Sequence, residues 1–441
     1  MEQTITAKLK LQLSPEQKQL LREITLAYRD ALNYTSSVAF ALNKMSSGVA
    51  LQKKVYKHIR SVYKLPSQMA CNIPRKVENT YKGLWTKVKQ NHVHRQKGYT
   101  KRRYKGLDKS PLFISRTCTL NYKRDYSFVK GKVSVITLQG RIKVNYSGYN
   151  FHLELIRSGI AKIDAAKIWD DQRRKNYYLL VSLTIPLKEL EPTELKQVVG
   201  VDVGQPYLAV STDTQNKTKF FSGKKPRQKY SHYQRVRKRL QQKGTRNAKG
   251  RIKAIAGRER RFTADINHNI SAKIVTPNTL IGLENLTHIR ARTFPKRTGK
   301  KADAKQGIAN RNQAKWSFAQ LHSFLDYKAK LKNSLAIKVD AHYSSQQCSC
   351  CGHTSPKNRP QKGLSFECVA CGIKLHADLV GARNVAHQTL LFRQDWESTG
   401  CLSATLNGSG DETKAERLSR FSELRWSLDA SPTLNEVGWG S

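Results

Sequence analysis

The sequence predicts a multidomain α+β protein, and three observations support that prediction. The chain has 441 residues, which exceeds one ordinary hydrophobic core and indicates roughly two to four domains. Helical periodicity dominates the first hundred or so residues, whereas alternating, β-branched patterns dominate the region that follows. Five of the eight cysteines lie within residues 348–371, which favours a bound metal over a disulfide framework in a chain of this size.

The chain is strongly basic. Its 80 Lys and Arg residues face 32 Asp and Glu residues, which leaves a formal net charge of +48. Such a field attracts polyanions, most commonly nucleic acid, although composition alone leaves a ribosomal-type RNA binder as an alternative to an enzyme. Apolar residues make up 38% of the chain, enough to bury hydrophobic cores. The sequence shows no signal peptide and no run of 18 apolar residues, so we expect a soluble protein in a reducing compartment.

The first hundred residues predict one strand followed by helices. Residues 3–12 alternate between apolar and polar side chains, as a strand does. Ser14 is a suitable N-cap, and Gln17 completes a capping box at the start of the first helix. Helical character continues, with breaks, to about residue 90.

One face of the predicted helix at residues 67–88 is polar. This face is either solvated or laid against a nucleic-acid groove, where Asn, Gln and Arg side chains read base edges. The apolar residues of the segment lie on other sides, as core-facing side chains would. The face consists of Gln68, Asn72, Arg75, Asn79, Lys82 and Thr86, and the candidate nucleic-acid contacts are Gln68, Arg75, Asn79 and Lys82.

A basic linker and a region of strands follow. Residues 89–106 are basic with interspersed aromatic residues, which predicts a phosphate-contacting linker. Residues 111–186 predict strands, and the segments 161–168 and 177–185 flank a polar turn as a hairpin would. This pattern predicts a β-barrel or an open sheet. Residues 187–196 predict a polar linker to the next region.

The third region begins with two apolar strands, at residues 198–204 and 207–213, and continues with the most basic stretch of the chain. Residues 224–261 hold 16 Lys or Arg residues and one acid, with few apolar residues to form a core. Helices of this composition either rest on a nucleic-acid backbone or form a solvated, coiled-coil-like arm. The candidate phosphate contacts are Arg235, Arg239, Arg260 and Arg261.

Three more elements and a tail complete the chain. The hydrophobic pattern predicts a helix at 262–275, a buried strand at 279–286 and a helix at 316–336. Residues 395–441 carry eight acids and four bases among scattered Gly, Ser and Pro. Such a composition predicts a mobile tail, with one short helix near residues 412–428.

Four cysteines have the spacing of a structural zinc site. Cys348 and Cys351 form one Cys-x-x-Cys knuckle, and Cys368 and Cys371 form a second one after sixteen intervening residues. A glycine follows each knuckle and allows the positive φ that presents both sulfurs to one ion. Four thiolates make a closed, tetrahedral site that stabilises the fold and leaves no position for a reacting water. Cys350 remains as a fifth thiol without an assigned role.

Three acidic residues occupy positions where a carboxylate needs a partner. Asp202 lies in the apolar stretch VVGVDVG and Glu284 in TLIGLENL, where an unpaired charge would be costly. Asp378 follows the second cysteine knuckle at the start of a predicted helix, where an ordinary helix cap is the alternative. Hard oxygen ligands select Mg²⁺ or Mn²⁺, and two such ions roughly 4 Å apart activate water and stabilise the leaving oxygen of a phosphodiester. The three acids are therefore predicted as metal ligands and catalytic residues.

These motifs, in this order, resemble those of the TnpB proteins encoded by bacterial transposons, which are relatives of the type V CRISPR effector nucleases. VVGVDVGQPYLAVST is similar to the family's first RuvC motif, with Asp202 in the metal-ligand place, and IGLENL is similar to the second, with Glu284. FECVACGIKLHADLVGARNVA resembles the family's zinc ribbon running into the third motif, with Asp378. The resemblance is sharp over residues 197–392 and extends to the N-terminal half at the level of architecture.

The resemblance implies a domain plan. A β-barrel-like wedge domain would be interrupted by a helical recognition domain, and an RNase H-like RuvC α/β nuclease domain with an inserted zinc ribbon would follow. The implied boundaries are 1–12 and 111–190 for the wedge domain, 13–110 for the recognition domain, 197–344 and 376–394 for the RuvC domain, 345–375 for the zinc ribbon and 395–441 for a flexible tail.

The resemblance also implies an activity. A guide RNA from the transposon end would pair with double-stranded target DNA, and the RuvC site would cut by two-metal-ion hydrolysis with Mg²⁺ or Mn²⁺, while Zn²⁺ stays structural. The alternatives are an RNA-guided repressor that does not cut, a compact CRISPR-associated effector and a conventional transposase. We expect a monomeric protein within the ribonucleoprotein, with a dimer as the alternative, in the prokaryotic cytoplasm at the nucleoid and without membrane association.

Overall fold

The computed structural model consists of two compact units, Met1–Pro186 and Leu187–Ser441. The boundary falls directly after the strand predicted at 177–185. The predicted short helix at 412–428 and most of the predicted tail lie outside the described residues. The structure describes residues 2–172, 175–204, 206–286, 317–340, 343–360 and 364–400.

The first unit is built on a seven-stranded antiparallel sheet that is nearly closed. Its first strand alternates as predicted, because Leu9 and Leu11 are buried while Lys8 and Lys10 are exposed. The hairpin predicted from segments 161–168 and 177–185 is confirmed, because the two strands that contain them pair in antiparallel fashion. The strand order is β2-β6-β7-β1-β5-β4-β3. The strands are β1 (Glu2–Gln12), β2 (Thr117–Leu120), β3 (Tyr126–Val129), β4 (Lys132–Thr137), β5 (Gly140–Ser147), β6 (Lys162–Asp171) and β7 (Asn176–Pro186).

The helices of the first unit begin where the sequence predicts. The Ser14 side chain accepts a hydrogen bond from the Gln17 backbone N–H at 3.2 Å, and the Ser14 backbone N–H donates to the Gln17 side chain at 3.1 Å. The third helix ends at Gln96 instead of near residue 90, so the first part of the predicted linker is helical. The chain leaves this helix through Gly98, whose φ is 68°. The helices are α1 (Pro15–Ala41), α2 (Gly48–Val62), α3 (Ser67–Gln96) and α4 (Asn150–Ser158).

The second unit contains a five-stranded mixed sheet. Its strand order is β10-β9-β8-β11-β12. Strands β8, β11 and β12 run parallel to one another, and β9 runs antiparallel to both of its neighbours, β8 and β10. The strands predicted to end at residues 204 and 286 end two residues earlier, at the acids Asp202 and Glu284. The strands are β8 (Gln197–Asp202), β9 (Tyr207–Asp213), β10 (Thr218–Ser222), β11 (Thr279–Glu284) and β12 (Leu335–Val339).

The helix predicted at 316–336 is confirmed over Phe318–Lys330 and is wrong after Lys330. The helix observed there, Phe318–Lys330, is followed by strand β12. The chain turns through Asn333, whose φ of 52° is incompatible with continuing the helix. The apolar run LAIKV is short, and periodicity alone does not distinguish a helix from a strand in a run of that length.

Helices cover both faces of this sheet. On one face α6 and α7 pack through Ile270, Ile274, Leu321 and Leu325 against the valines of β8. On the other face α8 packs along β8 and β11 and continues to Thr399, so residues 395–399, predicted as part of a tail, are helical. Trp396 explains this extension, because it is buried in an apolar cluster under the sheet. The helices are α5 (Lys224–Lys243), α6 (Arg246–Ile274), α7 (Phe318–Lys330) and α8 (Ala377–Thr399).

A small two-stranded ribbon precedes α8. Strands β13 (Ser365–Glu367) and β14 (Lys374–His376) are antiparallel and flank the second cysteine knuckle. Phe366 and Leu375 are buried in its core beside the cysteines. Within the part of the chain that the structure describes, no helix combines the length and the hydropathy needed to cross a membrane.

Candidate functional site

The strand alternation points two of the predicted acids to the same face of the second sheet. Val199 and Val201 pack toward α6 and α7, so Asp202 faces the opposite side, where α8 lies. Parallel pairing aligns Val201 with Leu283, which brings Glu284 beside Asp202 at the carboxyl ends of β8 and β11. The sequence predicts that the acids converge from two strands and a helix, and the register between β8 and β11 brings Asp202 and Glu284 together.

Two glycines allow α8 to approach this face closely. A Cβ atom at Gly200 would lie 2.1 Å from the backbone oxygen of Ala382, and one at Gly282 would lie 1.8 Å from Thr389 Oγ1. Only glycine fits at these contacts. The approach brings the first turn of α8 to the acids, because a Cβ at Gly381 would lie 3.1 Å from Asp202 Cγ.

Asp378 joins the same cluster from the first turn of α8. Its Oδ2 atom lies 3.6 Å from the place of a Cβ at Gly204, in the loop after β8. The helix cap is supplied by His376, whose Nδ1 accepts from the Asp378 backbone N–H at 3.2 Å. Burial, followed by the positive charge of Arg359, lowers the pKa of His376 to about 4, so its ring is neutral and able to accept. The capping alternative for the Asp378 side chain is therefore wrong.

The three acids destabilise one another as anions. Burial raises the pKa of Asp202 well above its usual range, and the charges of Glu284 and Asp378 raise it further. Burial also raises the pKa of Glu284 and of Asp378, in the latter case against the opposing charge of Arg359.

The acid cluster has the chemistry of a divalent-cation site. Asp378 Oδ2 is buried and has no hydrogen-bond partner among the described residues. An acceptor oxygen without a hydrogen-bond donor, beside two further carboxylates, is costly to bury, and the charge of Arg359 offsets this cost only in part, since the pKa of Asp378 stays raised. Carboxylate oxygens are the ligands that Mg²⁺ and Mn²⁺ prefer, so the residues present fit such an ion.

The four predicted zinc ligands converge. The Sγ atoms of Cys348, Cys351, Cys368 and Cys371 all lie within 4.8 Å of one another. Gly352 and Gly372 have φ values of 76° and 71°, as the knuckle prediction requires, and the backbone N–H of each donates to the carbonyl of the first cysteine in its knuckle. Four convergent thiols fit one tetrahedral zinc ion. The fifth thiol, Cys350, stands outside the cluster of four.

The polar face predicted on α3 is only partly available. Arg75, Asn79 and Lys82 are exposed on this helix. Gln68 is half-buried, and its Oε1 accepts a hydrogen bond from Arg124 at 2.7 Å. Gln68 is thus already engaged within the first unit, which makes it the weakest of the four candidate contacts on α3.

The basic segment forms a pair of helices with little core between them. On α5 only Pro226 and Tyr230 are buried. The Tyr230 and Thr263 hydroxyl groups lie 2.7 Å apart and link α5 to α6, and an ion pair between Arg237 and Glu259 links them again. The four predicted phosphate contacts are all exposed, and they are Arg235, Arg239, Arg260 and Arg261.

Sequence reasoning missed two buried polar residues next to the acids. Ser344 Oγ donates to Glu284 Oε1 at 3.0 Å, and Asn384 Nδ2 donates to the backbone oxygen of Ser344 at 2.7 Å. The available signal was a serine close before the first knuckle and an asparagine within the apolar part of α8. Neither position predicts a contact with Glu284 from sequence, since the three residues are far apart in the chain.

Two stretches of the chain match known family profiles. Residues 181–290 match the family described as a probable transposase of the OrfB_IS605 type, and residues 318–385 match the family described as the Cas12f1-like TNB domain. Asp202 and Glu284 lie in the first stretch, and Asp378 lies in the second together with the four clustered cysteines.

Two curated relatives are similar over part of the chain. A CRISPR-associated endodeoxyribonuclease Cas12f1 from Sulfoacidibacillus thermotolerans is 29% identical over 276 residues, which are 58% of this chain and 60% of that protein. The putative RNA-guided DNA endonuclease InsQ from Escherichia coli K12 is 27% identical over 43% of this chain and 48% of that protein. The chain thus spans 60% or less of the length of these two relatives.

One solved structure is similar over most of the chain. It is described as the cryo-EM structure of the Cas12f1-sgRNA-target DNA complex, and the match has a TM-score of 0.52. The match covers 84% of this chain and 81% of that one, at 15% sequence identity. At this identity the similarity concerns the fold alone.

Proposed function

We propose that the chain is a metal-dependent, RNA-guided endonuclease of the TnpB and Cas12f1 type that cuts double-stranded DNA, in line with its partial similarity to such proteins. The observation that supports the proposal most directly is the convergence of Asp202, Glu284 and Asp378 in one buried cluster. A cluster of this kind is costly without cations, and phosphodiester hydrolysis uses such cations.

We further propose that the second unit is an RNase H-like RuvC domain with an inserted zinc ribbon. The mixed five-stranded sheet, with helices on both faces and the acids at the ends of β8, β11 and the start of α8, supports this assignment. The nearly closed sheet of the first unit would be the wedge domain, and α1 to α3 the recognition domain.

The residues of the chain would act mainly by holding and orienting. The carboxylates of Asp202, Glu284 and Asp378 would offer oxygen ligands from two strands and one helix, on a backbone fixed by the sheet. When bound, a pair of Mg²⁺ or Mn²⁺ ions would supply an activated water and stabilise the leaving oxygen. The tight packing of α8 on Gly200 limits movement of Asp378 relative to Asp202. The four-cysteine cluster would hold one Zn²⁺ and fold the ribbon that leads into α8.

The exposed cations would bind nucleic acid through its backbone. A guide RNA would occupy the basic surfaces and pair with one strand of the target DNA, so that base pairing reads the sequence and the protein reads shape. The net charge of +48 provides the attraction, and Arg260 and Arg261 lie on the most basic helix pair. We propose a monomeric protein in this ribonucleoprotein, acting at the nucleoid in the prokaryotic cytoplasm.

A second candidate differs only in the source of the guide. The similarity to a Cas12f1 protein at 29% identity favours a compact CRISPR-associated effector, whereas the similarity to InsQ and to the probable transposase family favours a transposon. The site chemistry is the same in both cases.

One experiment tests the proposed function. The protein is purified together with its native flanking DNA, the copurifying RNA is sequenced, and the complex is incubated with matching duplex DNA and Mg²⁺. We expect one dominant RNA with a constant scaffold and a variable end, and Mg²⁺-dependent cutting that Asp202→Asn abolishes. A scaffold that maps to a transposon end, or instead to a repeat array, identifies the guide source.

Two results would contradict the proposal. Heterogeneous cellular RNA would reduce the basic surfaces to general polyanion binding. Sequence-matched binding without cutting, by a complex with intact acids and added Mg²⁺ or Mn²⁺, would instead point to a repressor.

A further inference from the structure

Among the described residues outside the acid cluster, Ser344 is the one whose side chain forms a hydrogen bond with Glu284. Its Oγ atom donates to Glu284 Oε1 at 3.0 Å, and both residues are buried, with exposures of 5% and 8%. A buried carboxylate oxygen that accepts a hydrogen bond from a buried hydroxyl is restricted in its rotation. The Ser344 hydroxyl thus holds one oxygen of the Glu284 carboxyl group in place.

Asn384 fixes the backbone that presents Ser344. Its Nδ2 atom donates to the carbonyl oxygen of Ser344 at 2.7 Å and to that of Gln347 at 2.8 Å. Asn384 is fully buried on α8, the helix that also bears Asp378. The segment from Ser344 to Gln347, which leads directly into Cys348, is therefore tied to α8 at both of its ends.

We propose that Ser344 is a positioning residue that orients the Glu284 carboxylate toward the cation site, and that Asn384 acts through Ser344. The inference rests on the proposed metal site and deepens it. Without the Ser344 hydroxyl, the Glu284 side chain would be free to rotate away from the Asp202 and Asp378 carboxyl groups. With Oε1 held by Ser344, the second carboxylate oxygen remains for a cation.

The test is calorimetric titration of the full-length protein with Mn²⁺ alone, without nucleic acid. Ser344→Ala should weaken Mn²⁺ binding by roughly 10-fold or more, as loss of a partner that orients a ligand typically does. Ser344→Thr keeps a hydroxyl and should retain most of the affinity. The matched control is Ser349→Ala, because Ser349 is equally buried and its hydroxyl has no hydrogen-bond partner in the described part of the chain.

A double-variant comparison tests the role of Asn384. If Asn384 acts through Ser344, Asn384→Ala should weaken Mn²⁺ binding in the wild-type background and add little in the Ser344→Ala background. Full additivity of the two effects would overturn the coupling. In cleavage assays, Ser344→Ala should raise the Mg²⁺ concentration for half-maximal rate while the rate at saturating Mg²⁺ recovers.

Asp202→Ala separates failure of this inference from failure of the proposed function. If Asp202→Ala binds Mn²⁺ as the wild type does, the proposed metal site is wrong, and the inference is wrong with it. If Asp202→Ala loses binding but Ser344→Ala matches Ser349→Ala, the metal site stands and the positioning role is overturned. A Ser344→Thr variant as weak as Ser344→Ala would also overturn it, since the hydroxyl would then not be the cause.

Discussion

The close contact between α8 and β8 predicts that Gly200→Ala destabilises the second unit, and the distances in the structure indicate by how much. In Gly200→Ala the new Cβ would lie 2.1 Å from the backbone oxygen of Ala382 and 2.4 Å from the backbone nitrogen of Ala386. Real contacts of this type are essentially never below 3.0 Å, so α8 has to move by about 0.9 Å. Both contacted atoms belong to the helix backbone, and no side-chain rotation relieves the clash. Asp378 moves with the helix, away from its present place beside Asp202.

The expected cost has a stability part and an activity part. Overpacking of a close-packed interior costs roughly 1–3 kcal/mol, which corresponds to a melting temperature lower by roughly 2–12 °C for a unit of this size. Misplacement of a catalytic group by about 1 Å lowers the cutting rate roughly 100-fold. Thermal unfolding followed by circular dichroism and cleavage of a matching duplex measure the two parts.

Gly250→Ala is the matched control. Gly250 lies inside α6, and no atom among the residues with described positions lies within 4 Å of the place of its Cβ. The same substitution should therefore raise stability here, by roughly 0.5–1 kcal/mol, because alanine is the better helix former. If Gly200→Ala unfolds at the wild-type temperature or above it and cuts at the wild-type rate, the close packing of α8 on β8 is refuted.

Three further predictions concern the acids, the zinc cluster and the basic helices. Asp202→Asn should raise the melting temperature of the metal-free protein at pH 7, because burial and the Glu284 charge raise the pKa of Asp202. The sign follows from protonation. The Asp202 carboxyl group of the wild type stabilises the fold most below the ordinary carboxyl pKa of about 4. Between that pH and its raised pKa, this group lowers the free energy of unfolding by about 1.4 kcal/mol for each pH unit, and the asparagine of the variant makes no such contribution. Cys368→Ala should lose bound zinc, as measured by atomic absorption, and unfold the ribbon, and a zinc-loaded, active variant would contradict the zinc assignment. Replacing Arg260 and Arg261 by Ala should weaken RNA binding and reduce the salt dependence of its affinity by about 1.4 in log–log slope, and an unchanged slope would place the RNA elsewhere.

The local elements of this chain follow from short stretches of sequence. The capping box of Ser14 and Gln17 and the two glycine-closed cysteine knuckles involve residues within four positions of each other, so their geometry depends on the local backbone. The alternation of β1 and β7 reflects burial of one side of each strand, which the sequence records directly.

The errors arose where local pattern and tertiary contact disagree. The run that became β12 has no helical or strand periodicity long enough to decide, and it is a strand because β11 offers a parallel partner. The tail was predicted to begin at residue 395, before the observed end of α8, because the acidic, glycine-containing composition of this region does not indicate that Trp396 is buried under the sheet. Gln68 fits the polar face of α3 in a helical projection, but its partner Arg124 comes from a distant strand region.

The sequence by itself determined the candidate ligands: four cysteines in two knuckles, and acids placed in apolar strands where a bare charge is costly. Only the tertiary structure decided how Asp202, Glu284 and Asp378 come together, and that Ser344 and Asn384 form hydrogen bonds beside them. The reason is physical: the three acids are separated by 82 to 176 positions along the chain, and they meet through strand register and through helix packing on glycine. Contacts of that kind are set by the whole fold, and short sequence patterns do not encode them.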